Sequence, residues 1–150
     1  MTAVALGRGG AVLYTPEILA LAVELADYPL NNGLARRGEA ASRVCGSKLA
    51  VALSTRPDGC IARIGARVSA CAIGQAAAAL FLRAAQGRDA DVIGAALSEI
   101  ELWLAGWGDL PSWPGIEVLA SARPYNARHA AILLPWKAAL AALSNPARAD

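Results

Sequence analysis

The stretch Val68-Ser69-Ala70-Cys71-Ala72-Ile73-Gly74-Gln75 constrains the fold most, because the hydrophobic period changes there. Upstream, Leu49, Val51 and Leu53 alternate with Lys48, Ala50 and Ser54. After the turn signal Pro57-Asp58-Gly59, residues Cys60, Ala62 and Ile64 alternate with Arg63 and Gly65. Period two marks strands with one face buried, and two such runs joined by a Pro/Gly turn form an antiparallel hairpin. A further edge strand is expected over Arg37 to Arg43. By parity Cys60 shares the face of Ala62 and Ile64, which predicts a core position for it. Downstream of Cys71, Ala76 to Leu82 is apolar on every side. That predicts a central helix, ending near Gly87.

The other helices carry their own signals. Thr15 can cap, Pro16 is preset for a first helical position and Glu17 favours the helix dipole, so a helix runs from there to about Asp27. Pro29 and the run Asn31-Asn32-Gly33 end it with turn chemistry. Ile93, Leu97, Ile100 and Leu104 mark another helix from about Asp91. Trp107 to Asn126 contains Pro111, Pro114 and Pro124, which predicts an irregular connection with one short helix near Gly115 to Ala120. A last helix holds Ile132, Trp136, Leu140 and Leu143. Pro135 predicts that it starts only a few residues earlier, since a deeper proline loses a hydrogen bond and clashes with the preceding turn. The expected fold class is α+β: a small antiparallel sheet of two or three strands, covered on one face by the helices after Cys71 and by the N-terminal helix. Residues 1–13 are expected to fray and 14–150 to form a single domain.

Charge and composition narrow the function. With 14 Lys and Arg against 12 Asp and Glu, the net charge is +2, and the basic residues are spread along the chain. This excludes a phosphate-tracking surface and predicts no nucleic-acid binding. The uncharged run Val68 to Leu82 is shorter than the roughly 20 apolar residues a membrane span needs. No basic region followed by a long apolar one opens the chain, which reads as no signal peptide. Three cysteines without an export signal predict reduced thiols and a cytoplasmic location.

Cysteine chemistry then carries the reading. Cys71 opens a helix, where unpaired backbone N–H groups and the helix dipole favour a thiolate. Taken alone it is equally compatible with a small buried side chain. Cys45 changes the balance. It opens the first hairpin strand and Cys71 follows the second, so the two meet at one edge of the sheet. Two convergent thiols in a reducing compartment read as a soft-metal site before a disulfide.

Val44-Cys45-Gly46-Ser47, Ala70-Cys71-Ala72-Ile73-Gly74-Gln75-Ala76 and Arg128 through Trp136-Lys137-Ala138 resemble, in order and spacing, the three ligand blocks of the IscU/SufU/NifU iron-sulfur cluster assembly scaffolds. Tyr14 to Ile18 and Pro29 to Gly33 match the family's first helix and the turn after it, and the long connection before the last helix resembles the SufU branch. The resemblance implies an α+β scaffold that takes sulfur from a cysteine desulfurase, assembles a cluster on three cysteines and an aspartate, and passes it to acceptor proteins. SufU-type members can hold zinc instead.

The chain departs from that pattern at two ligands. Ser47 stands where the family has aspartate, and Ala131 stands at the third cysteine. Cys45 and Cys71 remain, whereas a closed iron-sulfur or zinc site takes four ligands. His129 is the only histidine and a candidate to fill the vacancy, provided Pro135 leaves it on a turn. Metal affinity would then fall as it protonates. Ser47 offers a weak oxygen donor. Two functions stay open. One is a scaffold or carrier holding an iron-sulfur cluster, iron or zinc through Cys45 and Cys71, completed by His129, a second copy in a homodimer, or a small thiol. The other is a degenerate scaffold that regulates a cysteine desulfurase as a binding module. An enzyme is not expected: the histidine has no nucleophile or carboxylate near it in sequence, and no phosphate-cradling glycine loop is present.

Overall fold

The computed structural model describes residues 13–145; all but residue 13 of the segment expected to fray lies outside that range, and Leu13 is buried. Helix α1 (Pro16–Glu24) begins as anticipated, with the Ile18 N–H donating to Thr15 Oγ1 at 3.2 Å and Pro16 in the first turn. A 3-10 turn over Leu25–Asp27 ends it. The chain then docks at β3: the Ala66 N–H donates to the Tyr28 carbonyl at 2.9 Å, and Pro29 pairs with Ala66. Gly65 permits this, because a Cβ there would collide with the Pro29 carbonyl oxygen.

The period-two region forms three antiparallel strands in the order β1 (Arg36–Ala41), β2 (Lys48–Thr55), β3 (Ile61–Ser69). Leu49, Val51 and Leu53 are buried on the inner face. One departure concerns Cys60. Pairing runs regularly from Lys48↔Ser69 to Ser54↔Arg63 and then skips to Thr55↔Ile61, so Ala62 is the extra residue of a bulge. A bulge reverses side-chain parity beyond it. Ile61 therefore enters the core, and Cys60 is left in the turn, half-buried and outside the core.

Helix α2 (Ala72–Ala85) has Cys71 as its N-cap and buries Ile73, Gly74 and all of Ala76–Leu82, as its unbroken apolar sequence implies. Gly87 and Arg88 tie its end to β3 through bonds with both backbone groups of Ile61. Asp89 caps α3 (Ala90–Leu104) by accepting from the Val92 N–H at 3.0 Å. The proline-rich connection contains a 3-10 segment, Ile116–Ala122. Trp113 stacks on Phe81 with ring centroids 5.3 Å apart, and its Nε1–H donates to the Leu80 carbonyl.

Helix α4 runs from Asn126 to Ser144 with Pro135 inside it, nine residues beyond the start, against the expectation of a late beginning. An internal proline costs about 3 kcal/mol. Ile132, Leu134 and Trp136 are buried around it, each contributing about 1.5–3 kcal/mol, so packing outweighs the local defect. Helix α4 crosses β1 and β2 and also meets α2 and α3, making it as central as α2. Gly38 of β1 lets α4 approach, since a Cβ there would strike the Ala138 carbonyl and the Ala142 backbone. Helix α1 packs on α2 rather than on the sheet. The fold is α+β with a three-stranded antiparallel sheet, and among the described residues no helix is long and apolar enough to cross a membrane.

Candidate metal and sulfur site

The pairing of Lys48 with Ser69 brings the start of β2 beside the end of β3. The turn before β2 and the start of α2 thus share one corner. The turn is held by the Ser42 N–H donating to the Ser47 carbonyl at 2.8 Å and the Gly46 N–H donating to the Ser42 carbonyl at 2.9 Å. Gly46 has φ 72, a left-handed conformation that favours glycine. Cys45, Gly46, Ser47, Ser69, Ala70, Cys71 and Arg128 line one open cavity of about 260 Å³. Cys45 is exposed and Cys71 half-buried.

The turn also polarises its cysteine. Ser47 Oγ lies 3.0 Å from Cys45 Sγ, where either group can donate, and the Cys45 S–H donates to Ser42 Oγ at 3.5 Å; both serines are buried. The Ser47 hydroxyl first, and then that of Ser42, hold the Cys45 thiol below its ordinary pKa. Partial burial opposes them, and the Arg128 charge adds to them. A hydroxyl that donates to a thiolate, as that of Ser47 can, stabilises it against the thiol. Sequence reasoning placed the activated thiol at Cys71 through the helix N-terminus. Hydroxyl contacts to sulfur gather on Cys45, while Cys71 is the N-cap of α2, as that reading requires, without a side-chain capping bond. Ser42, which contacts the Cys45 sulfur, and Arg128, which lines the cavity, are not site candidates in the sequence. The only signal was the close spacing Ser42, Cys45, Ser47 within a turn, since Arg128 served merely to mark the third block.

The remaining candidates lie differently. Because α4 starts at Asn126, His129 is helical rather than on a turn. Its Nε2 is 2.7 Å from the Arg123 carbonyl oxygen, and it does not line the cavity; Arg128 does. Ala131 is buried against the first turn of α2, where a Cβ on Gly74 would lie 3.4 Å from the Ala131 Cβ. Among the described residues no three His, Cys, Asp or Glu side chains converge to hold a metal ion.

No family model matches the chain, and no curated protein matches it. Solved structures do. The N-terminal part of a nitrogen-fixing NifU-like protein from Brucella abortus superposes with a TM-score of 0.82 at 28% identity, covering 91% of this chain and 95% of that one. A putative iron-sulfur cluster assembly scaffold protein for the SUF system from the thermophile Fervidobacterium islandicum AW-1 gives 0.78 at 19% identity, over 88% of this chain and 97% of that one. The chain has an IscU/SufU/NifU-like fold. Within this fold the donor set is uneven. Cys45 and Cys71 line one cavity, and Ser47 is engaged with Cys45. The place where resemblance puts a third cysteine is a buried methyl group. Two thiols are soft donors of the kind that suit iron or zinc, but a closed site takes four ligands, and among the described residues no third or fourth such donor joins them.

Proposed function

We propose that this chain is an iron-sulfur cluster assembly scaffold or carrier working in the cytoplasm, with no catalytic activity of its own. It receives sulfur from a cysteine desulfurase, holds an iron-sulfur cluster or iron on Cys45 and Cys71, and delivers it to acceptor proteins. Zinc is the alternative occupant. The observation that carries this reading is the shared cavity of the two thiols, one of them polarised by Ser47, Ser42 and Arg128. Similarity to a SUF-system scaffold supports it. In the sulfur-accepting step the Cys45 thiolate attacks the outer sulfur of the donor's persulfide. A new S–S bond forms on Cys45, and the donor cysteine leaves as a thiolate, so no external oxidant or reductant is required.

The test is incubation of the reduced protein with a cysteine desulfurase and cysteine, followed by mass mapping. One added sulfur on Cys45, together with iron and acid-labile sulfide after anaerobic reconstitution, is expected. A second reading is favoured by the buried Ala131 and because, among the described residues, no three His, Cys, Asp or Glu side chains converge. Under it the chain is a degenerate scaffold that occupies a desulfurase without assembling clusters. Desulfurase binding with neither added sulfur nor bound iron would select that reading.

A further inference from the structure

We propose that the thiol cavity takes a small carboxylate-bearing thiol, whose sulfur adds to the donors Cys45 and Cys71 and whose carboxylate pairs with Arg128. This rests on the reading that Cys45 and Cys71 hold a soft metal centre, and it names the source of a missing donor. The first argument is the donor count. Among the described residues no third soft ligand converges with the two thiols, and His129 is bonded to the Arg123 carbonyl. The second is access. The cavity is open and its wall at Arg128 belongs to the first turn of α4, so a small molecule can enter beside the thiols.

The third argument is the charge on that wall. The ion pairs among the described residues are Arg56–Asp58 and Arg83–Glu24, so Arg128 has no carboxylate partner there. Its one side-chain hydrogen bond among them is donated to the Tyr14 hydroxyl at 3.3 Å. A guanidinium presents a planar fork of donors that matches a carboxylate, and Arg128 lines the same cavity as the polarised sulfur. A ligand with a thiol at one end and a carboxylate a few bonds away satisfies both groups at once. A neutral thiol satisfies only the metal.

Cobalt(II) added to the full chain under anaerobic conditions tests this, because thiolate-to-cobalt absorption rises with each thiolate bound. The loaded protein is titrated with 3-mercaptopropionate and, separately, with 2-mercaptoethanol, which lacks the carboxylate. The parent should reach half-saturation at about tenfold lower 3-mercaptopropionate, the scale of one charge-assisted pair. Arg128→Met should bring the two thiols to parity, with each half-saturation referred to that variant's own cobalt-loaded form so that any change in basal cobalt affinity is taken out. Tyr14→Phe, which removes the hydroxyl contact but keeps the guanidinium, should retain the preference and so separates recognition from folding. Equal half-saturation in the parent, or a preference that survives Arg128→Met, overturns the proposal while leaving the two-thiol site intact. Absorption that grows with protein concentration and not with added thiol also overturns it, in favour of donors from a second copy. Absence of any thiolate-to-cobalt absorption overturns the metal-site reading itself, and this proposal with it.

Discussion

The β2–β3 hairpin carries a cysteine environment at each end, and the two differ. At one end Cys45 sits in the Ser42–Ser47 turn, with two buried hydroxyls beside its sulfur and Cys71 and Arg128 lining the same cavity. At the other, Cys60 follows Pro57-Asp58-Gly59, where the carboxylate of Asp58 takes the Cys60 backbone N–H at 3.0 Å and pairs with Arg56. There the polar groups serve the turn. At the Cys45 end they serve the sulfur. The chemistry of a cysteine is thus set by which atoms its turn leaves free to meet it, and residue type alone does not decide it.

The largest effect that can break this comparison is loss of loading. Cys45→Ser and Cys71→Ser should each abolish retention of iron and sulfide after reconstitution, while Cys60→Ser should match the parent. Equal losses in all three would erase the distinction between the two ends.

Next in size is reactivity. Since the Cys45 pKa is lowered, its thiolate persists to lower pH than that of an ordinary cysteine, and alkylation of the metal-free protein should stay fast as pH falls below the usual thiol range. Ser47→Ala removes the largest stabilising contact and moves the pKa back up. Below the restored pKa, Cys45 alkylation should slow by roughly tenfold, the scale of one hydrogen bond to a charged group, with the Cys60 rate unchanged. Peptide mapping of the alkylated protein measures both rates together.

How much of this could be read from the chain differs between fold and site. Alternation over Leu49 to Leu53, the Thr15-Pro16-Glu17 start and the spacing of Ile93, Ile100 and Leu104 each report a repeated physical pattern, and each element formed. The position of Cys60 was not legible, because one extra residue at Ala62 reverses parity and leaves no compositional mark. Helix α4 was misjudged at its start because the rule about Pro135 is local, whereas Trp136 buried against Phe81 is a tertiary fact. That Cys45 and Cys71 line one cavity follows from hairpin closure. The places of Ser42 and Arg128 do not, since one depends on a turn's conformation and the other on where α4 begins.

The smallest expected effect concerns the Cys60 end. Asp58 and Arg56 are exposed, and exposed pairs contribute little. Asp58→Asn should lower the thermal midpoint only slightly and leave Cys45 alkylation untouched. A change in Cys45 reactivity in that variant would show that the two ends are coupled.

In the proposed function Cys45 and Cys71 act as one two-thiol site. A trivalent organic arsenical, which binds stably only when two thiols converge, tests it most directly on the reduced metal-free protein. The expected result is one arsenical per chain, with Cys45 and Cys71 protected from later alkylation and Cys60 still reactive. Protection that includes Cys60, or arsenical binding that survives Cys71→Ser, would contradict the account.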